Sequence, residues 1–134
     1  MTVERELGSN TSRSAIFAWI SIGLAIACQL FNDLNCYEKS LLESLTWMWF
    51  TLIPVVPAVF FIFAKKPVAA IGAALAVIPF YAMAYYSDCI LPYQGGGASM
   101  IYVIVIMFGT PVAILAGLLS HFLVSKFGSK TDAT

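Results

Sequence analysis

The chain has 134 residues, of which 60% are hydrophobic and 10% charged, and its formal net charge is zero. A soluble domain has about 25% charged residues, and a domain this small has a large surface for its volume. Seven acids and seven bases cannot cover such a surface in water, so the composition excludes an ordinary soluble domain. The balanced charge, with no basic block interleaved with aromatics, also predicts that nucleic acid is not a partner.

Four uncharged segments are long enough to cross a bilayer, whose hydrocarbon core needs about 20 apolar residues in a helix. They are residues 14–31, 45–64, 67–86 and 99–125. Their continuous apolarity differs from the alternating polarity of β-barrel strands and favours helices. The sequence therefore predicts an all-α integral membrane protein, with one domain over residues 1–134 that forms a four-transmembrane-helix bundle.

The first segment contains Cys28, and the run from Leu24 to Cys28 is similar to a lipoprotein cleavage signal. Ala25 stands where such signals usually have a larger aliphatic side chain, and Glu4 and Glu6 occupy a region that should be basic. A cysteine that fills space inside a helix is the simpler interpretation. Lipidation of Cys28 is the alternative.

The second and third segments are joined by the short turn Lys65-Lys66 and are expected to form a tight antiparallel hairpin. The second segment contains Pro54 and Pro57, and the third contains Pro79. Proline is costly inside a soluble helix, but membrane bundles tolerate it as a kink because neighbouring helices satisfy the freed carbonyls.

The fourth segment places small residues at four-residue intervals, which lets helix backbones approach closely. This packing stripe consists of Gly109, Ala113 and Gly117. Packing within the bundle is the first interpretation of the stripe, and docking of a partner's helix is the alternative. The same segment contains Gly109-Thr110-Pro111, where we expect the helix to be interrupted.

The basic residues predict the orientation. With the N-terminus inside, six of the seven lie on the cytoplasmic side and only Lys39 lies outside, as the positive-inside rule requires. Both chain ends are then cytoplasmic, and residues 32–44 and 87–98 form the outer loops. We expect a bacterial inner membrane as the location.

The outer loops carry the cysteines and the polar groups that we expect to matter for binding. Cys36 and Cys89 lie one in each outer loop, and an oxidising periplasm would let them form a disulfide. Outward loops often carry recognition. The partner-binding candidates are Asp33, Glu38, Glu43, Asp88, Tyr93, Gln94, Gly95, Gly96 and Gly97.

No pattern in the sequence points to a catalytic centre, a metal site or a cofactor. The lone His121 lacks neighbouring ligands, and the four segments lack the acids that mark proton pathways. We therefore expect a non-enzymatic role in the lipid bilayer, with another membrane or membrane-directed protein as partner.

Three functional hypotheses remain open. The first is an accessory role, either as a small subunit of a membrane complex or as an immunity-type protein against a membrane-directed toxin, because polytopic immunity proteins are similar in size and helix number. The second is a small transporter or channel, in which broken helices line the path. The third is a membrane thiol oxidoreductase, a class that resembles this chain in helix count but uses C-x-x-C dithiols, which this sequence lacks.

Overall fold

The computed structural model describes residues 2–91 and 100–131, with side chains over residues 11–91 and 100–128. This part of the chain is helical and contains no strand. The helices are α1 (Thr2–Asn35), α2 (Leu41–Thr51), α3 (Val56–Phe63), α4 (Pro67–Tyr85) and α5 (Ile101–Thr131). A 3₁₀ turn (Ile53–Val55) joins α2 to α3, and a π-helical turn (Tyr86–Ile90) extends α4.

Three helical stretches are long and apolar enough to cross a membrane. They are Thr11–Asn35, Pro67–Ile90 and Ile101–Gly128. A fourth crossing is present if the bent pair Leu41–Thr51 and Ile53–Phe63 counts as one span. The all-helical fold and the membrane-length helices are thus as the sequence predicts.

The second predicted segment, residues 45–64, is not one continuous helix. Its two halves meet at an angle of 53°, and Pro54 lies in the turn between them. Proline has no N–H to donate and its ring clashes with the preceding turn, which accounts for the break. The helical structure also begins earlier than predicted, because α2 starts at Leu41 inside the expected loop 32–44.

The turn between α3 and α4 is a Schellman motif, in which two N–H groups bond back to the last turn of a helix. Lys66 N–H bonds to the carbonyl of Phe61 at 2.8 Å, and Lys65 N–H to that of Ile62 at 2.9 Å. Lys65 takes the left-handed conformation, with φ of 59°. The motif reverses the chain within two residues and produces the predicted hairpin.

Two ends of the bundle can be distinguished. At the disulfide end, the last turn of α1 meets the π-helical turn through Cys36 and Cys89. At the lysine end, Lys65 and Lys66 border a cavity together with residues near the start of α1 and the far end of α5. Since α2 begins at the disulfide end and α3 finishes at the lysine end, the α2–α3 pair runs the full length of the bundle.

The core contains many small side chains, which allows close helix packing. Ala69, Ala70, Ala73 and Ala74 of α4 are all fully buried. Most large hydrophobic side chains instead point outward, including Leu42 at 77% and Phe63 at 76% exposure. An apolar exterior around an alanine-rich core fits a helical bundle whose solvent is lipid, where close approach of backbones replaces a hydrophobic driving force.

All three residues of the packing stripe are buried against other helices of the same chain. A Cβ atom at Gly117 would lie 2.9 Å from the carbonyl oxygen of Ala69, and one at Gly109 would lie 3.6 Å from Pro54. Ala113 is fully buried between them. This stripe therefore occupies the interface of α5 with α3 and α4 and is not an exposed face.

Candidate functional site at the disulfide end

The disulfide end brings together most polar side chains of the helical bundle. Cys36, just after α1, and Cys89, in the π-helical turn, lie at disulfide-bonding distance with their Cα atoms 5.5 Å apart. The predicted pairing of the two loops is therefore present in the structure. It links the end of α1 to the end of α4 across 53 residues of chain. We call this end of the bundle, with the loop that leads into α2, the rim.

A tyrosine–carboxylate contact lies beside the disulfide. The hydroxyl of Tyr37 donates a short hydrogen bond to the carboxylate of Asp88, and its ring lies 6.0 Å from the ring of Tyr102 on α5. Burial raises the pKa of the Tyr37 phenol above its usual range, and the hydrogen bond to Asp88 raises this pKa further. Tyr37 therefore remains a neutral donor that links the two loops and α5.

Asp33 is placed differently from the expectation that it is an exposed partner contact. It lies in the last turn of α1 and is fully buried. Its Oδ1 atom lies 3.6 Å from the ammonium group of Lys39 and 3.4 Å from the side-chain amide of Gln29. Asp33 is thus an internal charge that holds the α1–α2 loop in place, because a buried carboxylate must be paired.

Lys39, which is partly exposed, is the ionic partner of Asp33 and makes two further contacts. Its ammonium group lies over the ring of Tyr37, 5.1 Å from the centroid, and its backbone N–H bonds to the carbonyl of Asp33 at 3.3 Å. The one basic residue within residues 32–44 and 87–98 therefore makes its contacts inside the protein. The sequence shows that Asp33 and Lys39 are charged, but it does not predict that they pair, because α1 was expected to end before Asp33.

A second polar chain connects α1, α4 and the end of α2. The side-chain amide of Asn32 donates to the carbonyl of Tyr81 at 3.0 Å, and the Tyr81 hydroxyl donates to the carbonyl of Thr51 at 2.7 Å. Gln29 also donates to the hydroxyl of Tyr102 on α5 at 3.1 Å. These contacts were not predicted, since nothing in the spacing along one helix shows which neighbour it will face.

The exposed acids lie on either side of the start of α2. Glu38 is exposed and has a left-handed backbone, with φ of 49°. Glu43 is exposed and forms a capping box with Ser40: its carboxylate accepts from the Ser40 N–H at 3.1 Å, and its own N–H donates to the Ser40 hydroxyl at 3.3 Å. Both contacts satisfy backbone N–H groups that the helix start leaves open. The start of α2 is therefore rigid and acidic.

Helix α2 is packed against the bundle along a narrow line. Only Ser44 and Thr51 are buried among its residues, whereas Leu42 and Trp49 are 77% and 72% exposed. The hydroxyl of Ser44 is buried with no hydrogen-bond partner among the described residues. Most of the α2 surface is thus left for lipid or for another protein.

The remaining candidates divide into two groups. Asp88 is partly buried and accepts a hydrogen bond from Tyr37, so its carboxylate takes part in internal contacts. The other candidates lie outside the described residues: Tyr93, Gln94, Gly95, Gly96 and Gly97.

Two apolar grooves flank the bundle. One, of about 540 Å³, lies between α1 and α4 near the disulfide end and is lined by residues that include Cys28, Tyr81 and Ile90. The other, of about 550 Å³, lies between α3 and α5 and includes Pro57 and Thr110. Cys28 is a partly buried free thiol, and within the described residues no group of three or more His, Cys, Asp or Glu side chains is arranged to hold a metal ion.

Comparison with models of protein families, with curated proteins and with solved structures gives no match for this chain.

Proposed function

We propose that the protein is a non-enzymatic accessory protein of a membrane, which binds another membrane-acting protein through its disulfide end. The observation that carries this proposal is the exposure of α2. Only Ser44 and Thr51 of this helix are buried, whereas internal contacts hold the rest of the disulfide end in place. Two concrete forms of the role are a small subunit of a membrane complex and an immunity-type protein against a membrane-directed toxin.

Rigidity of the rim supports a binding role. The Cys36–Cys89 link, the Tyr37–Asp88 bond and the Asp33–Lys39 pair hold the loop that leads into α2. A surface that is ordered before binding loses less conformational entropy when a partner docks. Trp47 and Trp49, both more than half exposed, are of the residue type most often found at binding hot spots.

The proposed orientation places this rim outside a bacterial inner membrane and both chain ends in the cytoplasm. The lysine end then lies inside, in agreement with the positive-inside rule. Glu38 and Glu43 lie on the outer side and give the exposed start of α2 a negative charge. A partner with a basic, partly apolar surface fits this combination.

Photocrosslinking in native membranes tests the proposal. A photoreactive amino acid replaces Leu42 at the disulfide end, and the matched control replaces Phe63 at the lysine end. The two side chains are almost equally exposed, at 77% and 76%, and belong to the same broken span. We expect a discrete protein adduct from position 42 and adducts with lipid alone from position 63.

The charge of the rim is tested in the same assay. Glu38→Gln/Glu43→Gln removes both charges but keeps the capping box, since glutamine also accepts from the N-cap. We expect the adduct from position 42 to decrease in this variant. Lipid adducts alone from position 42, or protein adducts of equal yield from both positions, would contradict a binding role for α2.

A transporter is the second candidate, and the groove between α3 and α5 favours it. The broken span contributes Ile53 and Pro57 to this groove, and α5 contributes Thr110. The Thr110 hydroxyl is buried without a hydrogen-bond partner in the described part of the chain. Broken helices and free polar groups often line transport paths. The expected break in the fourth segment is absent, because α5 is continuous through Pro111, and Pro111 is exposed and does not line this groove.

Solute or ion flux into proteoliposomes tests the transporter. If the groove is a path, Thr110→Val should reduce flux, while Thr46→Val, which changes an exposed threonine of α2, should not. Transport is favoured over the accessory role if the wild-type protein gives flux and if Thr110→Val reduces this flux but Thr46→Val does not. Equal flux in protein-free and protein-containing liposomes would remove this candidate.

A further inference from the structure

A polar cavity of about 330 Å³ lies at the lysine end of the bundle. Three parts of the chain border it: the first half of α1, at Thr11 and Ser14, the turn between α3 and α4, and the far end of α5. It differs from the two apolar grooves because its lining includes charged side chains, those of Lys65 and Lys66, in addition to His121 and Ser125.

The groups around this cavity favour an anion. Lys65 and Lys66 supply two cationic side chains, and His121 adds a ring that can donate a hydrogen bond. No carboxylate lines the cavity among the side chains that the structure describes. Ser125 supplies a hydroxyl group of the kind that binds phosphate oxygens.

The first turn of α4 adds backbone donors to the same cavity. Val68, which has a backbone N–H, lines it beside Pro67, which has none, and no side chain caps this helix. Ala70 is the first residue of α4 whose N–H bonds back to the turn, to the carbonyl of Lys66 at 3.1 Å. Uncapped N–H groups and the positive end of the helix dipole both attract negative charge.

The surroundings indicate that the anion belongs to a lipid. Phe63, just before the turn, is 76% exposed, and Phe122, next to His121, is 60% exposed. Acyl chains can lie along such apolar side chains while the headgroup enters the cavity. Basic pockets between membrane helices on the cytoplasmic side bind anionic headgroups in general.

We propose that this cavity binds the phosphate of an anionic phospholipid from the leaflet at the lysine end. The proposal requires that the helices span a membrane, but it is independent of any protein partner. A soluble phosphate has the same chemistry and is the alternative source.

Native mass spectrometry of the detergent-purified protein tests this binding. The protein is titrated with phosphatidylglycerol, with phosphatidylcholine and, separately, with inorganic phosphate. The test variant is Lys65→Gly/Lys66→Gln, because glycine suits the left-handed position of Lys65 and preserves the turn. The control is Arg13→Gln/Lys126→Gln, which removes the same charge at exposed residues that do not line the cavity.

We expect one phosphatidylglycerol to bind in preference to phosphatidylcholine. The test variant should weaken this binding about 25-fold, since each lysine near an anionic headgroup contributes about a factor of five, and the control should change it less than threefold. Equal weakening by both variants, or no preference for phosphatidylglycerol, would overturn the site. Binding of inorganic phosphate without phosphatidylglycerol would overturn the lipid as its source.

Discussion

The hydroxyl of Tyr81 on α4 donates a 2.7 Å hydrogen bond to the backbone carbonyl of Thr51, the last residue of α2. Both residues are buried. In a regular α-helix, the N–H of Val55 would bond to the carbonyl of Thr51. Here that N–H bonds to the carbonyl of Leu52 in the 3₁₀ turn, so the Thr51 carbonyl loses its helical partner. A side chain from a neighbouring helix thus satisfies the group that the break at Pro54 releases, as expected for a proline-containing membrane span.

Tyr81→Phe should lower the free energy of unfolding by about 1–3 kcal/mol, because it leaves a buried carbonyl without a donor. Tyr85→Phe is the matched control, since it removes the same atom from a tyrosine that forms no hydrogen bond among the described residues. Thermal unfolding in one detergent measures both variants. Equal changes in the two would show that the Tyr81–Thr51 bond does not stabilise the break.

Gly117→Ala should destabilise the bundle by about 1–3 kcal/mol through overpacking. The added Cβ would lie 2.9 Å from the carbonyl oxygen of Ala69 and would also press on Phe61. Gly23→Ala, with nothing within 4 Å of the new atom, should be neutral or stabilising by up to about 1 kcal/mol. Denaturation of both variants in detergent checks the sign of the difference, and a stabilising Gly117→Ala would contradict the helix packing described above.

Removal of the disulfide by Cys36→Ser/Cys89→Ser should lower stability by about 4 kcal/mol in the chain-entropy model. Cys28→Ala is the control, since Cys28 is a free thiol. Reductant should lower the unfolding temperature of the wild-type protein and of Cys28→Ala, but it should not change that of the double variant. An effect of reductant on the double variant, which keeps only Cys28, would show that the effect does not come from the Cys36–Cys89 bond. Retention of full cellular function by the double variant would argue against a thiol oxidoreductase.

Stability should fall as the pH rises above about 10, the pKa of an unfolded tyrosine. The folded protein holds the pKa of Tyr37 higher, by burial and by its bond to Asp88, so the unfolded state loses its proton first and is favoured at high pH. Below pH 10 this contribution is fully present. Tyr37→Phe should flatten the decline in unfolding temperature between pH 9 and 11, whereas Tyr86→Phe, at an exposed tyrosine, should not. An unchanged slope in Tyr37→Phe would contradict the proposed linkage.

The sequence predicts the helices well because continuous apolarity directly reflects the length of a membrane crossing. It also brings Cys36 and Cys89 to the same end, since the loops of a helical hairpin alternate between ends. It does not predict the break at Pro54, because proline within a membrane helix is compatible with either a mild kink or a complete interruption. The 53° angle depends on how α4 and α5 pack around it.

The candidate site was predicted only in part, and Asp33 shows why. The sequence places this residue at the boundary of a helix and a loop, and its charge suggests exposure. In the structure, α1 extends four residues beyond the expected segment. Asp33 therefore lies inside the bundle, where Lys39 and Gln29 are close enough to pair with it. Burial at such a boundary depends on contacts between distant segments, which a pattern along one segment does not contain.

The number of membrane crossings and the orientation are tested most directly by reporters at both chain ends. Green fluorescent protein, which fluoresces in the cytoplasm, and alkaline phosphatase, which is active only outside, are each fused before Met1 and after Thr134. Four crossings with both ends inside predict fluorescence and no phosphatase activity at either end. Fluorescence at one end and phosphatase activity at the other would show that the α2–α3 pair does not cross the membrane, and would contradict the four-crossing bundle.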